Sequence, residues 1–274
     1  MSYLSNKSRV LVNVIGIPSI LSIIYLGDNL ISIPLFSIFV LTVVLLATYE
    51  WHNLMSIKNV LIKTFDFISV SLIIFSFYMQ YSFELILLII VVHVLASIIS
   101  EIFKSYSSPI NDISASLLGL VWIGVFIGSL VLVRNLESGF TLTLMMILSI
   151  WICDTFAFVF GSSYGKKKMA QSISPNKTWL GTFSGFLGSF IVPLLIFCCY
   201  PIASFTALDY VVFSVIFGVL GQIGDLSISL LKRQANIKDT SNILKGHGGI
   251  LDRFDSLGFA SPIFFIVLHI RNLI

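Results

Sequence analysis

Long apolar runs separated by short polar segments dominate this chain. A helix needs about 20 mostly apolar residues to cross a bilayer, and runs of about that length recur along the sequence. The pattern predicts nine spans, at 10–26, 30–48, 65–81, 83–99, 113–133, 140–160, 181–200, 208–231 and 257–270. We therefore expect an all-α, polytopic integral membrane protein.

Composition supports the same class. Of the 274 residues, 57% are hydrophobic and 11% charged, with a mean hydropathy of +1.01, whereas soluble domains are roughly 25% charged. The net charge of +3 is too small to suggest nucleic acid as a partner. We predict one membrane domain over residues 1–274, with N-terminal helices in 1–112 and catalytic helices and loops in 113–274.

The lysines and arginines provide an independent test of this layout, because cytosolic loops carry an excess of them. With nine spans and a cytosolic N-terminus, 14 of the 16 cations fall in cytosolic segments. The exceptions are Arg134 and Arg271. The distribution predicts a membrane protein whose long basic loops face the cytosol.

Two of these cytosolic segments are longer and more polar than the others. They cover residues 161–179 and 232–256, and each follows a span with an aspartate near its inner end, Asp154 or Asp225. A carboxylate at the centre of a bilayer costs about 2.5–3.5 kcal/mol, so it normally has a partner and a purpose. The alternative is that both aspartates reach interfacial water or a nearby lysine.

Further carboxylates lie close by in the second segment. Asp252 and Asp255 are three residues apart, so on a helix they would share a face. Mg²⁺ prefers oxygen ligands and is commonly held by one or two carboxylates together with substrate phosphates. With Asp225 and Asp239, the segment offers enough carboxylates for one or two metal ions, although a solvated turn would also explain the pair.

Glycines and hydroxyl groups suggest sites for phosphate. Gly248 and Gly249 leave the backbone free to approach a ligand, and amides in such turns bind anions. His247 beside them offers a further contact. The segment 174–178 (SPNKT) has the character of a second anion-binding corner. Lys166, Lys167 and Lys168 are better explained by attraction to anionic lipid.

The same residues resemble a known family. From Ser229 the chain reads SLLKRQANIKDTSNILKGHGGILDRFD, which resembles the signature of the phosphatidate cytidylyltransferase, or CDP-diacylglycerol synthase, family. GQIGDL (221–226), SPNKTW (174–179) and the stretch 154–166 also resemble that family, so the likeness covers at least the second half of the chain. Lys245 and Leu180 depart from its usual pattern.

The resemblance implies transfer of a cytidylyl group from CTP to phosphatidate, giving CDP-diacylglycerol and pyrophosphate. It implies that Mg²⁺ is required as cofactor, with one or two metal ions in the site. It implies that the metal ligands are Asp225, Asp252 and Asp255, supported by Asp239, with Asp154 as a second-rank candidate. The implied phosphate contacts are Lys232, Arg233, Lys238, His247 and Arg253. The implied substrate-binding residues on the nucleotide side are Ser174, Pro175, Lys177, Thr178, Gly248 and Gly249.

The expected partners are CTP, phosphatidate and membrane lipids, and small-residue helix faces are compatible with a homodimer. The expected location is a bacterial inner membrane with the active site facing the cytosol, where a lipid phosphate can meet a soluble nucleotide. Three alternatives stay open: an ether-lipid cytidylyltransferase, a polyprenol kinase, and an anion or proton-coupled transporter. A transporter would be expected to contain inverted repeats, and the sequence has no such internal symmetry.

The metal assignment leads to a first testable prediction. Replacing Asp252 with Asn should abolish CTP-dependent product formation and leave membrane insertion intact, because the variant loses a charged oxygen ligand but little volume. Product formation and the membrane fraction would both be measured. Full turnover by Asp252→Asn would contradict the metal assignment.

Overall fold

The structure, a computed structural model, describes residues 16, 18–25, 34–104, 108–243 and 248–271. Within them, eight helices are long and apolar enough to cross a membrane. We number them α1 Leu35–Leu54, α2 Val60–Tyr78, α3 Phe83–Ile102, α4 Pro109–Arg134, α5 Gly139–Tyr164, α6 Trp179–Cys199, α7 Ala207–Gln234 and α8 Leu251–Ile270. The predicted all-α membrane class is confirmed.

These helices correspond to the second to ninth predicted spans. The first, 10–26, lies largely outside the described residues, of which 18–25 are helical. The last two spans were predicted too short. Helix α7 continues to Gln234 and α8 begins at Leu251, so the polar stretch that contains Asp252 and Asp255 is the first turn of a helix and not part of the preceding loop.

The connection between α5 and α6 contains a small β-hairpin that the sequence pattern did not predict. Strand β1, Lys168–Ala170, pairs antiparallel with β2, Ser174–Thr178. Thr178 then caps α6 by accepting a hydrogen bond from the amide of Gly181 (3.2 Å), as Thr does at many helix starts. We call the side of the bundle that carries this hairpin the hairpin face.

Small residues allow α5 and α6 to pack closely. A Cβ atom at Gly181 would lie 2.6 Å from the carbonyl oxygen of Ala157, and one at Gly185 would lie 2.8 Å from that of Cys153. Close contacts at small residues spaced four apart are typical of membrane helices, and here they bring the backbones of α5 and α6 together.

Helix α4 is irregular where it meets α8. Residues Leu120–Ile127 form a π-helical segment between two α-helical parts. Beyond this segment, the hydroxyls of Ser129 and Ser261 lie 2.6 Å apart. Within it, the ring of Trp122 packs edge-on against Phe259 with centroids 4.9 Å apart. These contacts fix the position of α8 along α4.

The N-terminal half contains a buried polar cluster that sequence analysis missed. Asp66 on α2 contacts Nε2 of His52 on α1 (2.7 Å) through one oxygen and accepts a hydrogen bond from the hydroxyl of Ser116 on α4 (2.5 Å) through the other. His93 on α3 lies 2.8 Å from that hydroxyl and 3.0 Å from the hydroxyl of Ser69. Because each polar group has a partner, the cluster joins four helices without leaving buried charge unmatched.

The two cations predicted outside the cytosolic segments both contact protein groups. Arg271 forms an ion pair with Asp209 at the start of α7 (2.9 Å). Arg134, at the end of α4, donates to the carbonyl of Ile24 (2.9 Å). These exceptions to the charge pattern thus have structural roles at helix ends.

The close α5–α6 contact generates a stability prediction. Gly185→Ala should destabilise the protein by about 1–3 kcal/mol because the added methyl overlaps backbone atoms. Thermal denaturation in detergent would measure the effect. Gly221→Ala is the matched control, since a Cβ there meets its nearest atom at an ordinary 3.6 Å and alanine favours the helix. Equal melting temperatures for the two variants would refute the prediction.

Candidate active site

A polar cavity of about 590 Å³ opens where α5, the hairpin, α6, α7 and α8 meet. Four carboxylates, three cations and several small or hydroxyl-bearing residues contribute to its wall. The charged residues are Asp154, Asp225, Asp252, Asp255, Lys168, Lys177 and Arg253. The cavity therefore brings together both polar segments of the sequence and both intramembrane aspartates.

Lys177 and Asp225 connect the hairpin to α7. The ammonium of Lys177, on strand β2, lies 2.6 Å from a carboxylate oxygen of Asp225. Both side chains are partly exposed to the cavity, at 23% and 37%. The charged pair is thus accessible to a ligand, and Asp225 has the nearby lysine partner that the alternative explanation named.

Asp252 accepts hydrogen bonds from three segments. One oxygen pairs with the ammonium of Lys232 on α7 at 2.5 Å. The other accepts from the backbone amides of Thr240 (2.9 Å) and Gly249 (3.0 Å) and lies 2.9 Å from the hydroxyl oxygen of Thr240. Asp252 therefore fixes the start of α8 against the end of α7 while its carboxylate borders the cavity.

The two glycines before α8 are required by the geometry of this turn. Gly248 has φ +79°, in the left-handed region that glycine adopts readily. A Cβ atom on Gly249 would overlap the hydroxyl of Thr240 and the carboxylate of Glu50. Both positions thus need glycine for packing of the site, whether or not their amides also bind phosphate.

Asp255 and Asp154 complete the acidic wall. Asp255 lies one helical turn after Asp252, is buried, and accepts a hydrogen bond from the amide of Ser256 (2.6 Å). Next to it the backbones of α7 and α8 touch, since a Cβ on Gly224 would overlap the carbonyl of Asp255. Asp154 contributes its carboxylate from α5. The shared face predicted for Asp252 and Asp255 is thus realised on a helix.

The donor set has the chemistry that Mg²⁺ requires, because carboxylate oxygens are its preferred protein ligands. Among the residues that the structure describes, no three His, Cys, Asp or Glu side chains converge closely enough to hold a metal ion on their own. A site completed by substrate phosphates would need only one or two of these carboxylates. The metal roles of Asp225, Asp252 and Asp255 stay predictions.

Some predicted site residues lie away from the cavity wall. Arg233 donates to the carbonyl of Ile173 in the hairpin turn (3.0 Å), so in this structure it braces the loop. Lys238 and Asp239 are exposed on the connection after α7. Ser174 pairs with Ala170 in the hairpin, and Pro175 follows it on the exposed part of β2. His247 lies outside the described residues.

The structure adds residues that sequence analysis overlooked. Gln222 and Thr182 line the cavity, and the amide of Gln222 donates to the carbonyl of Thr182 (3.0 Å). Glu50 on α1 is fully buried and contacts the connection between α7 and α8. The sequence contained the information needed to select Glu50. It is a carboxylate in an apolar span, which is the feature that identified Asp154 and Asp225 as candidates.

These features define a class of protein: an α-helical membrane protein with a carboxylate-lined cavity at one end of its helices. Comparison with known families identifies the family within this class. Residues 7–271 match the family described as the cytidylyltransferase family. The chain belongs to that family, as the sequence motifs predicted.

Curated relatives carry the name phosphatidate cytidylyltransferase. The chain is 40% identical to that of Staphylococcus saprophyticus over 159 residues, 57% of this chain and 59% of the relative. It is 35% identical to that of Bacillus subtilis over 162 residues, 58% of this chain and 59% of the relative. The match to the Rickettsia typhi protein is 33% over 188 residues, 67% of this chain and 81% of the relative. The chain thus spans less than two thirds of the first two relatives.

The Lys232–Asp252 pair generates a prediction about stability. Lys232→Met should destabilise the protein by about 3 kcal/mol, because it leaves a nearly buried carboxylate without its cation. The side chains of Lys232 and Asp252 are only 11% and 9% exposed. Thermal denaturation in detergent would measure the change.

The matched control is Lys238→Met, which removes the same charge from an exposed position. Such surface changes usually stay within about 0.5 kcal/mol. If both variants melted at the wild-type temperature, the pair would have no role in holding α8 to α7.

Proposed function

We propose that this protein transfers a cytidylyl group from CTP to phosphatidate, giving CDP-diacylglycerol and pyrophosphate in phospholipid synthesis. The observation that carries the proposal is a cavity whose wall contains the carboxylates of Asp225, Asp252 and Asp255 together with the cations Lys177 and Arg253. Membership of the cytidylyltransferase family and the names of its relatives, phosphatidate cytidylyltransferases, support the same reaction.

Cytidylyl transfer requires that the enzyme position the substrates and neutralise their charge, and it needs no protein nucleophile. A phosphate oxygen of the lipid attacks the α-phosphorus of CTP, and the bond from that phosphorus to the oxygen bridging the β-phosphorus breaks. The bonding electrons leave with pyrophosphate. Lys177 and Arg253 provide positive charge at the cavity wall for the phosphates, and Lys232 holds Asp252 in place.

Mg²⁺ is part of the proposal, and the residues that would hold it are Asp225 and Asp255, with Asp252 at the cavity edge. Asp252 is already engaged by Lys232, Thr240 and Gly249, so Asp225 and Asp255 are the stronger candidates. When bound, the cation would neutralise charge on the attacking and leaving oxygens. Asp154 would add further negative charge to the acidic wall of the cavity.

We propose that the hairpin face lies on the cytosolic side of a bacterial inner membrane. The cavity opens at the ends of apolar helices, and Phe158, an exposed apolar side chain, forms part of its wall. Such a position suits a substrate whose acyl chains stay in the bilayer while its phosphate meets a soluble nucleotide. A homodimer is likewise a proposal, which light scattering of the detergent-solubilised protein would test.

Purified protein incubated in detergent with CTP, Mg²⁺ and phosphatidate should form CDP-diacylglycerol and pyrophosphate in equal amounts. An ether-lipid phosphate and a polyprenol serve as competing acceptors. Release of CDP with polyprenol would identify a polyprenol kinase. Faster reaction with the ether-lipid phosphate would identify an ether-lipid cytidylyltransferase. Lack of any CTP-dependent product would refute the proposal.

The same assay tests the assigned cation. Lys177→Met should lower turnover by about 100-fold, the scale seen when one preorganised charge-stabilising group is removed. Lys166→Met is the matched control, because Lys166 is an exposed lysine of the same connection and does not line the cavity. Equal turnover by the two variants would show that Lys177 has no role in the reaction.

A further inference from the structure

Glu50 is a buried carboxylate that accepts hydrogen bonds from four groups. Its side chain is fully buried near the end of α1. One oxygen accepts from the hydroxyl of Ser241 (2.5 Å) and the amide of Ile250 (2.9 Å). The other accepts from the hydroxyl of Thr240 (2.9 Å) and the amide of Leu251 (2.8 Å). Two acceptor positions on each oxygen are thus used, which is about the capacity of a carboxylate.

These four donors belong to the two ends of one connection. Thr240 and Ser241 lie soon after α7 ends, and Ile250 and Leu251 lie where α8 begins. The first amides of a helix have no partner within the helix, and a negative charge there also interacts favourably with the helix dipole. Glu50 therefore closes the 241–250 connection and caps α8 from a helix about 190 residues earlier in the sequence.

Thr240 links Glu50 to the cavity. Its hydroxyl lies 2.9 Å from an oxygen of Glu50 and 2.9 Å from an oxygen of Asp252. Gly249, whose amide donates to Asp252, has no room for a side chain because Glu50 and Thr240 occupy that space. A shift of the Glu50 carboxylate would therefore displace the groups that orient Asp252.

Neighbouring residues on α1 hold Glu50 in place. The indole of Trp51 donates to the carbonyl of Ala115 on α4 (2.8 Å), and His52 contacts Asp66 on α2 (2.7 Å). Three consecutive residues of α1 thus contact three different helices. Because the end of α1 is fixed by α2 and α4, it provides a rigid support for the start of α8.

We propose that Glu50 is a positioning residue for the cavity: its carboxylate fixes both ends of the 241–250 connection and thereby the first turn of α8, which carries Asp252, Arg253 and Asp255. This inference rests on the proposed function for its effect on turnover. The structural part, that Glu50 holds these backbone amides, is measurable without any substrate.

Hydrogen exchange followed by mass spectrometry tests the structural part. Glu50→Gln replaces one carboxylate oxygen with an NH2 group, which places a donor opposite the amide of either Ile250 or Leu251. Exchange in residues 248–252 should therefore become faster. Asp209→Asn is the matched control, since it changes a buried carboxylate at the opposite end of α7, where Asp209 pairs with Arg271, and lies away from α1 and the cavity. Unchanged exchange at 248–252 in Glu50→Gln would overturn the proposal whatever the protein's activity.

Kinetics with CTP and phosphatidate test the functional part. We expect Glu50→Gln to lower kcat by about 100-fold, the effect of displacing reacting groups by about 1 Å, and Asp209→Asn to keep the wild-type kcat. Thr240→Val, which removes the linking hydroxyl, should also lower kcat, whereas Thr240→Ser should retain it. Because the two residues act as a unit, the Glu50→Gln/Thr240→Val double variant should be no slower than the worse single variant.

The outcomes separate the two proposals. An inactive wild-type protein with fast exchange in Glu50→Gln would refute the proposed function and leave Glu50 as the support of α8. An active wild type whose Glu50→Gln variant melts at a lower temperature but keeps its kcat would show a role in stability alone and overturn the positioning role.

Discussion

A carboxylate that is buried in an apolar helix bundle must be matched by hydrogen-bond donors or cations, and the structure of this protein's site depends on that constraint. Glu50 meets it with two hydroxyls and two helix-terminal amides. Asp252 meets it with Lys232 and with groups of the same connection. Because the two carboxylates share Thr240, satisfying one also positions the other. The start of α8 thus follows from charge satisfaction more than from apolar packing.

The same constraint explains why the polar chemistry gathers at one end of the bundle. Apolar contacts between helices provide little direction within a membrane, where lipid tails are as apolar as side chains. Close contacts such as those at Gly181 and Gly185 bring α5 and α6 together, and the hairpin that joins these helices then places Lys177 beside Asp225. The cavity forms where tight helix packing ends and the polar connections begin.

Particular residues illustrate how far prediction from sequence reached. The carboxylates Asp154, Asp225, Asp252 and Asp255 were identified as unusual polar residues in or beside apolar runs, and they line one cavity. Arg233 was assigned to a phosphate contact by its place in the family motif, and Ser174 also by its hydroxyl in the SPNKT segment. In the structure Arg233 contacts the hairpin turn and Ser174 is paired within the hairpin. Glu50 carried the same signal as Asp154, yet it lay in the half of the chain without a recognisable motif. A motif lists residues that occur together and does not state which of them contact a ligand.

Hydropathy and motif spacing were enough to predict the membrane class, the approximate positions of the described spans and the residues that belong to the family's signature. Periodicity and hydropathy are properties of consecutive residues, so these features need no knowledge of distant contacts. Only the tertiary structure decided that α8 begins at Leu251, that Asp252 pairs with Lys232, and that Glu50 reaches across from α1. Those contacts join residues 20 to about 200 positions apart, and such pairs form only when the helices that carry them have packed.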